Sequence, residues 1–166
     1  MMSDARTTGW KIPLIFCAVV LGVVAITALL RWERVDAPPL PDALLAQAQA
    51  IVIQLDNDEE GRKWKADISA VAGGFTTRAE KDQRIMALVR LTLEHKRYDA
   101  ACTAAVLMYN NHQRDAAFQE IGDVALQECA TLPWGVMAAK GMHFPKAQAE
   151  MQTLLIQRWQ ECAVTP

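Results

Sequence analysis

Residues 82–108 read DQRIMALVRLTLEHKRYDAACTAAVLM, and this stretch decides the fold. Apolar side chains recur at three- and four-residue intervals on both sides of a polar turn at 95–97, which is the pattern of two amphipathic helices. Asp82 is predicted to cap the first helix, which would run to about Glu94. The second helix is predicted over 98–109. The stretch therefore predicts a helical hairpin.

Two short motifs from this region and a third from further along recur in the chain, each after a similar interval. Intervals of this length with two helices each are typical of stacked helical hairpins, in which neighbours bury each other's apolar faces. Small alanines on one helix would let its partner approach closely. The pairs are RxxALxxL at 84–91 with RxxAFxxI at 114–121, AAxxM at 104–108 with 138–142, and QEC at 127–129 with 160–162.

The sequence Tyr98-Asp99-Ala100-Ala101 resembles the start of the second helix in a tetratricopeptide-type repeat. In that resemblance Tyr98 takes the place of the family's aromatic residue and Ala101 that of its small contact residue. The likeness extends over about residues 80–162. It implies a stack of αα-hairpins whose role is to bind other proteins.

The rest of the chain after residue 42 also has helical character. Helices are predicted over 42–55 and from Asp58 to about residue 72, and the polar turn between them contains the acidic run 56–60. Further helices are predicted over 113–129, 134–142 and 146–162. We therefore expect an all-α helical-hairpin domain over 42–162, with the clearest repeats over 80–162 and a short tail at 163–166.

An uncharged apolar run at 12–30 follows a short tail at 1–11. Nineteen helical residues would extend roughly 28 Å, close to the thickness of a bilayer's hydrocarbon core. Trp10 and Trp32 flank the run, as aromatic residues do at membrane interfaces. The run therefore predicts a single transmembrane helix that contacts membrane lipid.

A proline-rich linker at 31–41 separates this run from the helical domain. A cleaved secretory signal is the alternative, but the run is longer than a typical signal core and no Ala-x-Ala site follows it. Lys and Arg counts on the two flanks tie, so charge does not orient the helix. A short inner tail with an exported domain is the commoner arrangement. It predicts a bacterial inner-membrane protein whose C-terminal domain is periplasmic.

The four cysteines divide between the apolar run and the helical domain. Cys17 lies in the run, and the domain holds Cys102, Cys129 and Cys162. An oxidising compartment would allow one disulfide, either Cys129 with Cys162 or Cys102 with Cys129, whereas three free thiols are the alternative. No Cys-x-x-Cys or Cys/His spacing is present, so neither a metal site nor a redox motif is expected.

Catalytic and nucleic-acid-binding signatures are also missing from the sequence. It contains no Gly-x-Ser-x-Gly, no glycine-rich phosphate loop and no His-Glu-x-x-His. The formal net charge is −2, and no basic stripe stands out, which argues against nucleic-acid binding. We expect neither enzymatic activity nor a cofactor.

Three residues are candidates for partner binding. Arg84 and Arg114 occupy matching places in the first motif pair, so they could form a ladder that contacts a peptide or carboxylate. Alternatively, each packs along the next hairpin and pairs with an acid. Trp134 follows Pro133 at a helix start and could face a partner or fill a seam between hairpins.

Two functional hypotheses follow from these patterns. The first is a single-pass, membrane-anchored interaction module or scaffold of the bacterial cell envelope, which binds another envelope protein or peptide. The second is an accessory subunit of a multi-protein inner-membrane complex, in which small residues such as Ala18 and Gly22 would contact other membrane helices.

Overall fold

A computed structural model describes residues 37–55, 58–73 and 77–164 of the chain. This part of the protein is all-α and contains no strand, as predicted. Its helices are α1 (Asp42–Leu55), α2 (Glu59–Gly73), α3 (Arg78–Glu94), α4 (Tyr98–Val106), α5 (Asn111–Ala125), α6 (Leu132–Gly141) and α7 (Pro145–Val164), with a 3₁₀ turn at Cys129–Thr131 before α6.

The helices pack in three layers. Helices α3, α5 and α7 form an outer layer, and α4 and α6 form a middle layer. Helices α1 and α2 form a covering layer, in which α1 packs against α6 and α2 packs against α4. No described element packs against the other side of the outer layer. The middle layer is therefore buried on both sides, while one face of α3, α5 and α7 remains open to solvent.

Small residues make the middle layer possible. A helix buried on both sides must be apolar all round, and it must let its neighbours approach closely. Eight residues of α4 and α6 meet both needs, since they are small and buried: Ala100, Ala101, Ala104, Ala105, Gly135, Val136, Ala138 and Ala139. The two AAxxM motifs therefore mark the centre of the core.

The cap predicted at Asp82 is wrong. Helix α3 begins at Arg78, and its N-cap is Thr77, whose Oγ1 accepts a hydrogen bond from the Glu80 N–H at 3.2 Å. Asp82 is instead buried at 2% exposure, and its carboxylate accepts hydrogen bonds from the backbone N–H groups of Tyr109 and Asn110. It therefore ties α3 to the turn before α5.

Asp115 repeats this arrangement one hairpin later. Its carboxylate is also buried, and it accepts hydrogen bonds from the N–H groups of His143 and Phe144 in the turn before α7. Asp82 and Asp115 are therefore equivalent positions, and they set the register in which the outer helices repeat. Arg84 and Arg114 do not correspond in this register, so the alignment that paired them is wrong.

The turn between α3 and α4 contains a strained residue. Lys96 has φ 57°, the left-handed conformation that glycine adopts most easily. Two hydrogen bonds hold it there, because the Lys96 N–H donates to the Leu93 carbonyl and the Arg97 N–H donates to the Thr92 carbonyl. This pattern closes the carboxyl end of α3 and turns the chain sharply into α4.

The membrane helix predicted at 12–30 lies outside the described residues, as do Trp10 and Trp32. Within 37–55, 58–73 and 77–164, no helix has the length and apolar character needed to cross a bilayer.

Close packing at Gly141 leads to a first prediction. A Cβ at this position would overlap the ring of Phe118, a fully buried side chain that cannot move aside. We expect Gly141→Ala to lower the free energy of unfolding by about 2 kcal/mol, as overpacking does in other cores. Gly73→Ala is the control, since no described atom lies within 4 Å of its Cβ position. Equal stability of both variants in urea unfolding would contradict this packing.

Candidate functional site

An open groove runs between α3 and α5 on the exposed face of the outer layer. Its volume is about 470 Å³. Leu93 and Val124 provide its apolar part, and both are only partly exposed because they also pack against the core. The charged residues that line the groove are Arg90, Glu94, Glu120 and Asp123.

A two-pronged ion pair crosses the groove. Arg90 Nε donates to Glu120 Oε2 at 3.0 Å, and Arg90 Nη2 donates to Glu120 Oε1 at 2.6 Å. The hydrogen bond from Arg90 is the main cause that lowers the pKa of Glu120, and the same contact raises the pKa of Arg90. Both side chains are solvent-exposed, so the pair can separate when a partner offers other charges.

The groove is acidic overall. Glu94 and Asp123 lie beside the Arg90–Glu120 pair, and each adds an exposed carboxylate. A segment with a basic side chain next to an apolar one would match this lining in charge and polarity. The lining is therefore suited to the recognition of such a segment.

The structure places Arg84 and Arg114 in different environments. Arg84 is exposed and shares a face of α3 with Ala87 and Leu91, which are also exposed. Arg114 is half-buried on the core-facing side of α5, together with Ala117, and its buried Nε has no hydrogen-bond partner among the described residues. They do not form the ladder that the motif alignment predicts.

Trp134 lies in a seam between hairpins. Its ring stacks on the ring of Tyr98, with centroids 5.8 Å apart and planes at 17°. Trp134 is half-buried and packs against the core cluster. The contact joins the start of α4 to the start of α6. Much of the indole surface therefore packs against other residues of the domain.

A partly buried cluster of charges joins α2 to the α3–α4 turn. Arg97 contacts three carboxylates, those of Asp58 at 3.2 Å, Glu60 at 2.9 Å and Asp99 at 3.0 Å. Asp58 also caps α2 by accepting a hydrogen bond from the Gly61 N–H. The acidic run, which the sequence presents as a solvated turn, thus positions the covering layer against α4.

Asp99 is the most buried acid of this cluster. Burial alone would raise its pKa, but the hydrogen bond from Arg97, the backbone N–H groups and the charge of Arg97 together lower it below 3.8. The cluster should therefore stabilise the fold above about pH 4 and lose this effect as the pH falls below that value.

The second prediction tests this pH dependence. We expect Arg97→Met to lower the free energy of unfolding by about 2 kcal/mol at pH 7, because it leaves the buried Asp99 charge without its cation. The deficit should shrink between pH 5 and pH 2.5, where Asp99 becomes protonated. Urea unfolding across this pH range measures it. A deficit that is the same at every pH would show that charge pairing is not its cause.

A disulfide joins Cys129 and Cys162, the first of the two pairings left open by the sequence. It links the 3₁₀ turn before α6 to the last turns of α7. Arg158 adds a second link there, because its Nε donates to the Leu126 carbonyl at the end of α5. Cys102 is a free cysteine, and burial is the main cause that raises the pKa of its thiol to about 12.

The three histidines lie at helix ends: His95 and His143 are in turns, and His112 is in the first turn of α5. His112 and His143 both contact the ring of Phe144, with centroid distances of 4.6 and 5.1 Å. His95 lies near Trp64, at the opposite end of the hairpins. Within the described residues, no group of His, Cys, Asp and Glu is arranged to hold a metal ion.

The sequence reasoning missed the groove. Arg90 and Glu120 are polar residues on exposed helix faces, and nothing in their local sequence distinguishes them from other surface pairs. Comparison with protein-family models, with curated proteins and with solved structures finds no match to this chain.

Proposed function

We propose that this chain is a membrane-anchored protein-interaction module of a bacterial cell envelope. Its domain binds a segment of another envelope protein in the groove between α3 and α5. The observation that carries the proposal is the open outer layer. Helices α4 and α6 cover one side of this layer, whereas the other side combines an apolar floor with a rim of charges.

The arrangement of helices favours a binding role for the domain. Helix pairs α3–α4 and α5–α6 repeat the same packing, and Asp82 and Asp115 make the same contacts in each. We propose that they form an αα-hairpin array of the tetratricopeptide type. Arrays of this kind stack rigid units and use one long face for recognition.

The proposed anchor is the apolar run at 12–30. Its length suits a bilayer, and Trp10 and Trp32 lie where interfacial aromatic residues are expected. The proline-rich linker at 31–41 would then space the domain from the membrane. In this proposal residues 12–30 contact lipid and the groove contacts protein.

The disulfide supports a periplasmic location for the domain. Bonds such as Cys129–Cys162 form and persist in oxidising compartments and are rare in the cytosol. In this proposal residues 12–30 cross the membrane once, so a periplasmic domain places the short tail at 1–11 in the cytoplasm.

The chemistry of the groove defines the partner segment. Glu94, Asp123 and Glu120 attract a basic side chain, while Leu93 and Val124 accept an apolar neighbour. On binding, a basic residue of the partner would replace Arg90 beside Glu120. We propose an exposed segment with alternating basic and apolar residues as the ligand.

Site-specific crosslinking in cells tests this proposal. A photo-crosslinking amino acid is placed at Glu94 on the groove rim, or at Gln160 near the end of α7 as a control position. We expect one discrete adduct from position 94 and none of the same mass from position 160. Mass spectrometry of the adduct then identifies the partner and the crosslinked segment.

A matched pair of charge reversals makes the test specific. Asp123→Lys should abolish the adduct from position 94, because it places a cation where the partner's basic residue binds. Glu150→Lys, an equal change on an exposed acid outside the groove, should leave it unchanged. Two results would refute binding in the groove. One is an adduct from position 94 that persists in the Asp123→Lys variant, and the other is the same adduct formed equally well from position 160.

A further inference from the structure

A strip of basic and aromatic residues lies at one end of the domain, away from the groove. At its centre two cations lie over the ring of Tyr109, with Arg78 Cζ 5.1 Å and Lys81 Nζ 4.5 Å from its centroid. Tyr109 is nonetheless 56% exposed. An exposed tyrosine flanked by cations has an apolar ring, a polar tip and positive charge in one place.

The strip continues across the neighbouring helix start. His112, in the first turn of α5, lies against Phe144, and Lys146 follows in the first turn of α7, with its side chain 78% exposed. We call this surface the basic strip. Its members are Arg78, Lys81, Tyr109, His112, Phe144 and Lys146.

Asp42, at the start of α1, is an exposed acid at this end, whereas the other acids near the strip are mostly occupied. Asp82 and Asp115 are buried, and both accept backbone hydrogen bonds. Glu150 lies 4.0 Å from Lys146, and Glu80 lies in the first turn of α3 and has polar contacts of its own.

At the opposite end of the domain, carboxylates and cations form ion pairs. Exposed or half-exposed carboxylates gather there, at the turns that precede α2, α4 and α6 and at the end of α7. They are Asp58, Glu60, Glu128 and Glu161. Each of these carboxylates is paired with a cation at the same end, namely Lys96, Arg97 or Arg158. We call this the acidic end, and it differs from the basic strip because its charged side chains form ion pairs with one another.

The chain enters the domain from the side of the basic strip. Helix α1 ends shortly before Asp58, which contacts Arg97 at the acidic end. Fourteen helical residues extend about 20 Å, so Asp42 at the start of α1 lies back toward the basic strip. Residues 37–41 lead into this end, and the proposed membrane anchor lies earlier in the sequence.

We infer that the basic strip docks on the headgroups of anionic phospholipids. Lys and Arg near a membrane are attracted to anionic lipid, and tyrosine and phenylalanine rings enter the headgroup layer. This inference rests on the membrane anchor of the proposed function, because a short linker keeps the strip near a lipid surface. It adds an orientation, in which the acidic end points away from the membrane.

Fluorescence quenching in vesicles tests the docking. The full chain carries an environment-sensitive fluorescent amino acid at Gln113, beside the strip, or at Gln160 at the acidic end. Vesicles of phosphatidylcholine, alone or mixed equally with phosphatidylglycerol, contain a quencher attached to the lipid headgroup. We expect strong quenching at position 113 in the mixed vesicles only, and weak quenching at position 160 in both.

Paired substitutions provide the control. Arg78→Ser with Lys81→Ser should reduce the docked-to-undocked ratio roughly 30-fold, since each cation near an anionic surface contributes about a factor of five. Arg62→Ser with Lys63→Ser removes two exposed cations from the first turns of α2, at the acidic end, and should leave quenching at position 113 unchanged. Equal urea-unfolding midpoints show that both variants are folded.

The outcomes separate this inference from the proposed function. A chain that inserts into both vesicles, with position 113 equally quenched in each, overturns the docking and leaves the anchor standing. A chain that stays free of both vesicles overturns the anchor and the docking together. Quenching that is lost equally in both double variants would show general charge attraction and would also overturn a role for the strip.

Discussion

Asp82→Ala should lower the free energy of unfolding by about 3 kcal/mol, because two backbone donors lose their acceptor and each such loss costs about 1–3 kcal/mol. The carboxylate is buried at 2% exposure, and it accepts hydrogen bonds from the N–H groups of Tyr109 at 2.8 Å and Asn110 at 2.9 Å. Urea unfolding of the full chain in a mild detergent, followed by tryptophan fluorescence, measures the change.

The repeat provides an internal check on this result. Asp115→Ala removes the same pair of hydrogen bonds one hairpin later, from His143 at 2.7 Å and Phe144 at 2.9 Å, so we expect a loss of similar size. Asp123→Ala is the matched control on the same helix, because Asp123 is exposed and accepts a hydrogen bond from the Gln119 side chain. It should change stability by less than about 0.5 kcal/mol.

A comparable loss in all three variants would contradict the structural role of the two buried aspartates. Asp82→Asn refines the test further. Asparagine keeps one carbonyl oxygen at this position but carries no charge, so it should recover part of the lost stability. Recovery by asparagine and not by alanine would identify hydrogen-bond acceptance as the source of the effect.

Loss of the disulfide should have the largest effect of any cysteine change. It closes a loop with a sequence separation of 33 residues. For a loop of this length, the entropy of the unfolded chain predicts a stabilisation of about 3–4 kcal/mol. We expect this loss when Cys129 and Cys162 are both replaced by serine, measured by urea unfolding.

Two further measurements make this prediction specific. Cys129 is exposed, so a reducing agent should lower the stability of the unaltered protein to that of the double-serine variant and should not affect the variant itself. Cys102→Ala should cost about 1 kcal/mol or less, because it removes one sulfur atom from a half-buried site. Equal stability of oxidised and reduced protein would refute the stabilising role.

The sequence predicted the helical elements well because local patterns determine them. Helix α1 matches the prediction over 42–55, and the turn at 95–97 separates α3 from α4. The main errors at helix ends came from caps. Thr77 caps α3, so this helix begins earlier than a cap at Asp82 would allow. Asn110 caps α5, which therefore begins at Asn111. The Asn110 side chain accepts hydrogen bonds from the His112 and Gln113 N–H groups.

The register of the repeat was the point at which sequence reasoning failed. The motif RxxALxxL aligns Ala87 and Leu91 with Ala117 and Ile121, but the first pair is exposed and the second is buried. The register set by the two buried aspartates instead pairs Ile85 with Phe118, and both are fully buried. Similar letters at helical spacing do not reveal which side of a helix faces the core.

Long-range contacts decide the groove and the basic strip. Arg90 meets Glu120, and Lys81 meets Tyr109, only because α3 and the start of α5 lie side by side. A sequence contains no record of which exposed residues become neighbours. Candidates chosen from the sequence, such as Arg114 and Trp134, proved to be partly enclosed within the domain.

From the sequence alone it follows that the described domain is helical, and that small alanines let neighbouring helices approach closely. Helical periodicity and side-chain size are local properties, so they can be read before folding. Three features emerge only on folding: α1 and α2 cover the middle layer, Asp82 and Asp115 join successive hairpins, and one face of the outer layer remains open. These features depend on hydrogen bonds and packing between residues far apart in the chain.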